Sequence, residues 1–289
     1  MNIELKARGL CVRDLNQSVR FYQDALGFVP QYPAYAINAT RLPGSGELDD
    51  AQGHLQSMHN AQGVELLLFE LKHPQPGGST ERRPNNQHGL THLAFWVDDI
   101  QRSAERIATA GGRVYSHTRA FFAEGLVTMM YATDPNGIRI ELMHSAQEAE
   151  RFSHSGICTV AIESALDFYS GLDFTQAERY DLQGEWLVII NELEGVQLSA
   201  QMARNTHGDT LELLKIDHPS CFGALERAPL ERYGFNFLLL SASDLSAAAN
   251  TIEASGGHVH FRAQNQEGLC GLSCSDPNGV RLEILRRQP

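Results

Sequence analysis

Two residues that could carry acid–base or metal chemistry lie inside apolar strand patterns. His92 lies in GLTHLAFW, where alternate residues share one face of a strand, and Glu141 alternates with Ile140 and Leu142. A carboxylate inside a sheet is costly unless it pairs with a cation or binds a metal. The pattern therefore leaves two alternatives for Glu141, a salt bridge to a neighbour such as Arg139 and a metal site. A single strand histidine is more often structural than a ligand.

These residues belong to a chain that repeats itself, and four pairs of segments correspond. They are 9–28 with 156–174, 63–74 with 208–219, 89–100 with 234–245, and 134–142 with 276–284. The last pair reads DPNGIRIEL and DPNGVRLEI. In both, the first four residues are typical of a turn between two strands. We therefore divide the chain into two similar halves, 1–147 and 148–289, each built of two units, which we number modules one to four.

Each module is predicted to be a strand, a helix and then several strands. In module one, Val19, Phe21, Tyr22 and Leu26 recur at helical spacing, whereas segments such as 138–142 alternate as strands do. Helices that recur between runs of strands indicate an α+β fold.

Two phrases resemble a known family. Residues 12–28 read V-x-D-L-x-x-S-x-x-F-Y-x-x-x-L-G-F, and the DPNG strand carries a glutamate near its end. Both are similar to phrases of the vicinal-oxygen-chelate superfamily, which contains glyoxalases, bleomycin-resistance proteins and extradiol dioxygenases. The resemblance implies paired βαβββ modules that curl into open cups, in which residues from the first and last strands of two modules hold a divalent metal.

The resemblance also implies which residues stand at the ligand positions: one lies seven residues before the Asp position that opens each helix, and the other lies four residues after the glycine of the turn before the last strand. Modules two and three carry a complete set, whereas modules one and four keep one glutamate. The set is His92, Glu141, His154 and Glu212; the other positions hold Ala7, Leu67, Phe237 and Glu283.

The pairing of modules decides whether these ligands meet. If modules two and three share a cup, one site is complete and the other cup is metal-free and filled by side chains. This arrangement resembles glyoxalase I-type dimers fused into one chain, and we favour it. Pairing one with two and three with four would leave two incomplete sites. Other interpretations stay open, because His154 could be exposed, Glu212 could face solvent beside Lys215, and Glu283 could be structural.

Two imidazoles and two carboxylates suit one divalent ion, with Zn, Ni, Co, Mn and Fe(II) all compatible. The resemblance implies that a substrate with oxygens on adjacent carbons chelates the metal, which stabilises an enediolate-like charge. Glu141 or Glu212 would then move a proton as the catalytic base. The predicted activity is a glyoxalase I- or epimerase-type isomerisation or lyase reaction.

Two alternatives remain. An Fe(II) ring-cleaving dioxygenase would need two histidines and one carboxylate. A non-catalytic binding or resistance protein would sequester a small molecule. No Ser-His-Asp set, phosphate-binding loop or nucleotide fingerprint is evident.

Composition and charge limit the kinds of partner that the protein could bind. A net charge of −12 argues against nucleic acid and anionic membranes, and no apolar run approaches a membrane span. The first residues lack a signal-peptide pattern, and the five cysteines show no zinc-finger or thioredoxin spacing. Cys11 and Cys158 are interpreted as buried free thiols, and His88 as a solvated loop residue. We expect a cytoplasmic protein, monomer or homodimer, that acts on a small molecule.

Overall fold

The protein was analysed as a computed structural model that describes residues 3–287. It has the predicted α+β fold of four modules. Module one contains β1 (Ile3–Cys11), α1 (Leu15–Leu26), β2 (Val29–Pro30), β3 (Tyr35–Ala36), β4 (Gln52–His59) and β5 (Glu65–His73). Module two contains β6 (Gly89–Trp96), α2 (Ile100–Thr109), β7 (Arg113–Phe122), β8 (Val127–Thr133) and β9 (Arg139–His144).

The second half repeats this order. Module three contains β10 (Arg151–Cys158), α3 (Ile162–Ser170), β11 (Phe174–Leu182), α4 (Glu185–Asn191), β12 (Gln197–Asn205) and β13 (Thr210–His218). Module four contains β14 (Gly234–Ala242), α5 (Leu245–Ala254), β15 (His258–Asn265), β16 (Gly268–Ser275) and β17 (Arg281–Arg286). Within residues 3–287, no helix is long and apolar enough to cross a membrane.

The strands form two open sheets, and each sheet joins modules from different halves. One has the order β11-β12-β13-β10-β6-β9-β8-β7, and the other β15-β16-β17-β14-β1-β5-β4-β2 with β3 beside β4. We call them the two–three sheet and the one–four sheet. Antiparallel pairing of β6 with β10, and of β1 with β14, joins the halves at the centre of each sheet. The favoured pairing of modules is therefore confirmed, and the alternative pairing is wrong.

The helices begin where the repeat predicts. The carboxylates of Asp14, Asp99 and Asp244 each accept a hydrogen bond from a backbone N–H in the first turn of α1, α2 and α5. Such a cap satisfies a donor that the helix itself cannot. Ala161 stands at the same position of α3 and makes no side-chain cap. The ligand positions counted back from these residues therefore lie in corresponding places on the first strands.

A shared apolar core lies between the sheets, and a separate apolar cluster lies on the concave face of the one–four sheet. That cluster includes Ala7, Leu67, Phe69 and Phe237, all of them buried. The Phe237 ring packs against glycine, because a Cβ atom on Gly9 would lie 2.2 Å from it. The prediction that side chains fill this cup is confirmed around Phe237, whereas Ala7, Leu67 and Leu239 also line an open cavity of about 850 Å³.

Two insertions were not predicted from the repeat. In module one the strand after α1 is split into β2 and β3, and a 3-10 helix at Pro43–Glu47 follows. In module three, α4 is inserted between β11 and β12 and packs against β7 of module two. Each insertion lies over one concave face, so the two cups have different covers.

Phe237→Ala tests the filled cup. The change removes a fully buried ring from a close-packed cluster, and we expect a loss of about 3–5 kcal/mol in the free energy of unfolding. Denaturant unfolding monitored by circular dichroism measures this. Phe121→Ala is the matched control, because Phe121 is 56% exposed and its loss should cost less than about 0.5 kcal/mol. Equal effects from the two changes would contradict a packed cup.

Candidate metal centre

The structure brings the four predicted ligands together on the concave face of the two–three sheet. His92 lies on β6 and His154 on β10, and their Nε2 atoms are 3.1 Å apart. Oε2 of Glu141 on β9 lies 3.6 Å from Nε2 of His92 and 3.5 Å from that of His154. Oε2 of Glu212 on β13 lies 3.4 Å and 3.5 Å from the same atoms. Each half of the chain thus supplies one histidine and one glutamate.

The register of strand pairing explains why these four side chains lie together. His154 pairs with Ala94, and Ala94 lies beside Glu141 in the parallel neighbour β9. On the other side of β10, Glu212 lies beside Gly156. The glycine is needed because a Cβ atom there would lie 2.2 Å from the His92 ring. Gly156 corresponds in the repeat to Gly9, which gives the same room to Phe237.

Hydroxyl groups orient both imidazoles. Nδ1 of His92 lies 2.9 Å from Oγ1 of Thr91, and Nδ1 of His154 lies 3.0 Å from Oγ of Ser153. When each Nδ1–H donates to its hydroxyl, each Nε2 presents a lone pair to the centre of the group. These partners were missed from the sequence, although a hydroxyl residue directly precedes both histidines. That repeated dipeptide was the available signal.

Burial and charge set the protonation of the metal-free group. Burial alone would lower the pKa of His154, but Glu212 and Glu141 outweigh it and raise this pKa to about 10. Burial acts to raise the pKa of Glu212, yet the two histidines hold it well below its usual range. The carboxylates thus favour a cation at this position, either a proton on His154 or a metal ion.

The residues fit a divalent ion. Ligand atoms that each lie about 2.1 Å from one ion are about 3.0–3.4 Å apart, close to the observed spacings between the two histidines and from each histidine to each glutamate. Neither alternative interpretation holds: Arg139 stacks on the ring of Tyr131 rather than pairing with Glu141, and Glu212 contacts both histidines while Lys215 pairs with Asp217. Ligand atoms of His92, His154 and Glu212 all lie within 4.8 Å of one another, whereas Glu141 contacts both histidines from outside that group. Each glutamate contacts both histidines at similar distances, so all four residues stay candidate ligands of one ion.

The site is enclosed except near Glu212. Glu141 and both histidines have 5% or less of their side chains exposed, whereas 17% of the Glu212 side chain is exposed. The buried Tyr131 lies beside the site, with its ring centre 6.5 Å from that of His92 and its hydroxyl oxygen accepting from Nδ2 of Asn85 at 3.0 Å. Burial raises the pKa of Tyr131, and the charge of Glu141 raises it further, so the phenol stays protonated.

Glu283 occupies the position of Glu141 in the one–four sheet, with different partners. Its carboxylate accepts from the backbone N–H of Gly44 at 2.7 Å, from Oγ of Ser273 at 2.8 Å and from Nη1 of Arg281 at 3.0 Å. Phe237 occupies the position in module four that His92 occupies in module two. Glu283 therefore has a structural role in this fold.

Comparisons with known proteins agree with this architecture. Residues 5–142 and 151–284 match the Glyoxalase/Bleomycin resistance protein/Dioxygenase superfamily. A lactoylglutathione lyase of Haemophilus influenzae is 26% identical over 136 residues, 47% of this chain and 88% of that protein. A probable lactoylglutathione lyase of Synechocystis is 28% identical over 140 residues, 48% of this chain and 93% of that protein. The match covers about half of this chain in both cases.

A solved structure covers both halves at once. The structure of glyoxalase I from Zea mays has a TM-score of 0.67 and 15% identity, with 99% of this chain and 92% of that chain covered. At this identity the likeness concerns the fold, and it extends over both sheets.

Glu141→Gln and Glu283→Gln form a matched pair, because the two residues correspond in the repeat. We expect Glu141→Gln to weaken divalent-metal binding by at least about tenfold. Loss of a residue that only hydrogen-bonds to a metal ligand costs about this much, and Glu141 would be a ligand itself. Glu283→Gln should keep the metal and lower stability by about 1–3 kcal/mol, since buried Arg281 loses its charged acceptor. Elemental analysis and thermal unfolding measure the two effects. Loss of metal on Glu283→Gln would contradict the assignment.

Metal affinity should rise with pH. Between 6.5, the ordinary pKa of histidine, and about 10, the metal-free protein holds a proton on His154 that must leave when metal binds. Apparent affinity should therefore increase about tenfold per pH unit within this window. The same proton stabilises the metal-free fold fully below pH 6.5, and this contribution is lost as pH rises through about 10. Calorimetric titration in buffers of different ionisation enthalpy counts the released proton, and a pH-independent affinity would refute the mechanism.

Proposed function

Because the chain belongs to the glyoxalase, bleomycin-resistance and dioxygenase superfamily, we propose that it is a metal-dependent enzyme of the glyoxalase I or epimerase type. Its substrate would be a small molecule with oxygens on adjacent carbons, and its reaction an isomerisation or lyase step. The observation that carries this proposal is the convergence of His92, Glu141, His154 and Glu212, with no lysine or arginine of the described residues 3–287 paired to the two glutamates.

His92, His154, Glu141 and Glu212 would hold one divalent ion, with Zn, Ni, Co, Mn and Fe(II) all suited to such ligands. The bound ion would supply Lewis-acid stabilisation of negative charge that develops on substrate oxygens. Thr91 and Ser153, by accepting from the Nδ1–H groups, would hold both Nε2 atoms toward the centre of the group, so the histidines would need little reorganisation to bind an ion.

Glu212 is the better placed of the two candidate bases. It is the ligand that reaches the open side of the site, where a substrate would enter, whereas Glu141 is enclosed by sheet and side chains. A carboxylate on the open side can take a proton from one carbon and return it to its neighbour. Glu141 then acts mainly as a ligand. The protonated hydroxyl of Tyr131 is an uncharged polar group beside the site.

An aromatic group lies on the Glu212 side of the site, because the charge of Glu212 acts on Tyr180, and it would receive the less polar part of a substrate. The Phe122 ring lies 4.8 Å from that of Trp186 and 6.5 Å from that of Tyr180, between the rim of module two and the inserted α4 region of module three. The lyase names of the half-length relatives make hemithioacetals of thiols the first substrates to test. α-Hydroxy-ketones are the second class.

An Fe(II) ring-cleaving dioxygenase is the second candidate. The observation that favours it is the tight cluster of His92, His154 and Glu212, since two histidines and one carboxylate are the usual ligands of such iron. The two activities differ in a direct measurement, because isomerisation consumes no oxygen and ring cleavage consumes one O₂ per turnover.

Glu212→Gln and Glu141→Gln test the division of roles. Gln can still coordinate through oxygen but cannot accept a proton. We expect Glu212→Gln to keep substantial metal and lose at least about a hundredfold in kcat, the usual scale for a general base. Glu141→Gln should affect metal affinity more than turnover. Metal content and steady-state rates on hemithioacetals, α-hydroxy-ketones and catechols give both quantities.

Three results would contradict the proposal. Stoichiometric oxygen uptake with a catechol would favour the dioxygenase. Normal turnover by both metal-loaded Gln variants would leave no carboxylate base among the ligands. Purified protein that takes up no metal would favour a binding protein without chemistry.

A further inference from the structure

A second group of metal-binding side chains lies at the far end of β10. One ring nitrogen of His88 and the Sγ atoms of Cys158 and Cys221 all lie within 4.8 Å of one another. The two Sγ atoms are 3.4 Å apart. Cys158 follows His154 by four residues on the same strand, which places their backbones about 13 Å apart at about 3.3 Å per residue. This group is therefore distinct from the metal centre in the cup.

Three separate segments deliver these side chains. His88 ends the linker between modules one and two, Cys221 lies in the linker between modules three and four, and Cys158 is the last residue of β10. The linkers are hydrogen-bonded to each other, because the backbone N–H of His88 donates to the carbonyl of Phe222 at 3.0 Å, and that of Phe222 to the carbonyl of Asn86 at 2.9 Å. The arrangement thus depends on both halves of the chain.

The linker around His88 is held in place by an arginine. Nη2 of Arg83 donates to the carbonyl oxygen of His88 at 2.8 Å, and its Nε donates to the Gln87 side chain at 2.9 Å. Nδ1 of His88 is shielded from solvent and has no hydrogen-bond partner within residues 3–287. The interpretation of His88 as a solvated loop residue is therefore wrong for this nitrogen, although the residue as a whole is half-buried. A shielded imidazole nitrogen without a partner is a group that a cation would satisfy.

We propose that His88, Cys158 and Cys221 bind a thiophilic divalent cation, Zn²⁺ in the first instance. Two thiolates and an imidazole are the ligands that zinc prefers, and a water completes four-fold coordination. Two thiolates bound about 2.3 Å from one zinc ion are about 3.8 Å apart, close to the observed Sγ–Sγ distance. A disulfide requires about 2.05 Å, so the reduced pair already stands at a spacing suited to a shared ion.

Zinc here would tie both linkers to the end of β10. It would be a second ion, counted separately from the one expected in the cup, and the two sites differ in chemistry. The cup offers nitrogen and oxygen, whereas this site offers sulfur and nitrogen. Only thiolates give cobalt an intense near-ultraviolet charge-transfer absorption, so Co²⁺ reports on this site even when the cup is also loaded.

The experiment is a Co²⁺ titration of freshly reduced full-length protein, followed by displacement with Zn²⁺. We expect a charge-transfer band that saturates at one Co²⁺ per chain and disappears in Cys221→Ser. His88→Ala should weaken Zn²⁺ binding at this site by more than about a hundredfold. Loss of a residue that only hydrogen-bonds to a ligand costs at most about that much, whereas His88 would be a ligand. Cys270→Ser is the matched control, because Cys270 is likewise half-buried and lies outside this cluster, and it should keep the band.

A His92→Ala, His154→Ala variant separates this site from the cup. It should lose the cup ion and keep the charge-transfer band, so failure of either site is seen independently. Absence of the band in reduced wild-type protein would overturn the proposal, as would its persistence in folded Cys221→Ser. A Cys158–Cys221 disulfide that survives reductant, seen as a mass loss of two hydrogens, would overturn it as well.

Discussion

The antiparallel pairing of β6 with β10 is the contact on which the site depends. It joins the two halves through backbone hydrogen bonds at the centre of a sheet and sets the imidazoles of His92 and His154 side by side. The parallel neighbours β9 and β13 then add one glutamate each, at the same height along the strands. Because side chains alternate between faces, a slip of one residue in this central pairing would turn one histidine into the apolar core. The chemistry of the cup therefore rests on strand register.

The two sheets show how one scaffold accommodates opposite contents. Gly156 leaves room for the His92 ring, and Gly9 leaves the same room for the Phe237 ring. In one cup two carboxylates face two imidazoles, whereas in the other the Glu283 carboxylate pairs with Arg281 and accepts hydrogen bonds from Ser273 and Gly44. A buried carboxylate must have a partner, and the partner differs according to what the neighbouring strand provides. The repeat preserves the backbone, and a few substitutions decide between a polar centre and a packed one.

Much of this architecture could be predicted from the sequence, because periodic patterns and a repeat constrain strands strongly. The modules, the aspartate caps and the meeting of His92, Glu141, His154 and Glu212 follow from positions that recur at fixed offsets. The inserted α4 and the split edge strand of module one were not predicted, since neither has a counterpart in the other half of the repeat. The cluster at His88 was also missed. Its members are far apart in sequence and meet only because two linkers cross, which no local pattern records.

The order of strands also has a consequence for synthesis of the chain. The two–three sheet is continuous in sequence from β6 to β13, so it can be completed as soon as residue 218 has emerged from the ribosome. β1 can pair early with β5 on one side only, because its antiparallel partner on the other side, β14, begins at Gly234. At about 5–20 residues per second, module one waits on the order of 10–30 s after its last strand is made. Throughout that interval the apolar strand β1 presents an open edge, which is the kind of surface that chaperones cover and that neighbouring nascent chains can pair with.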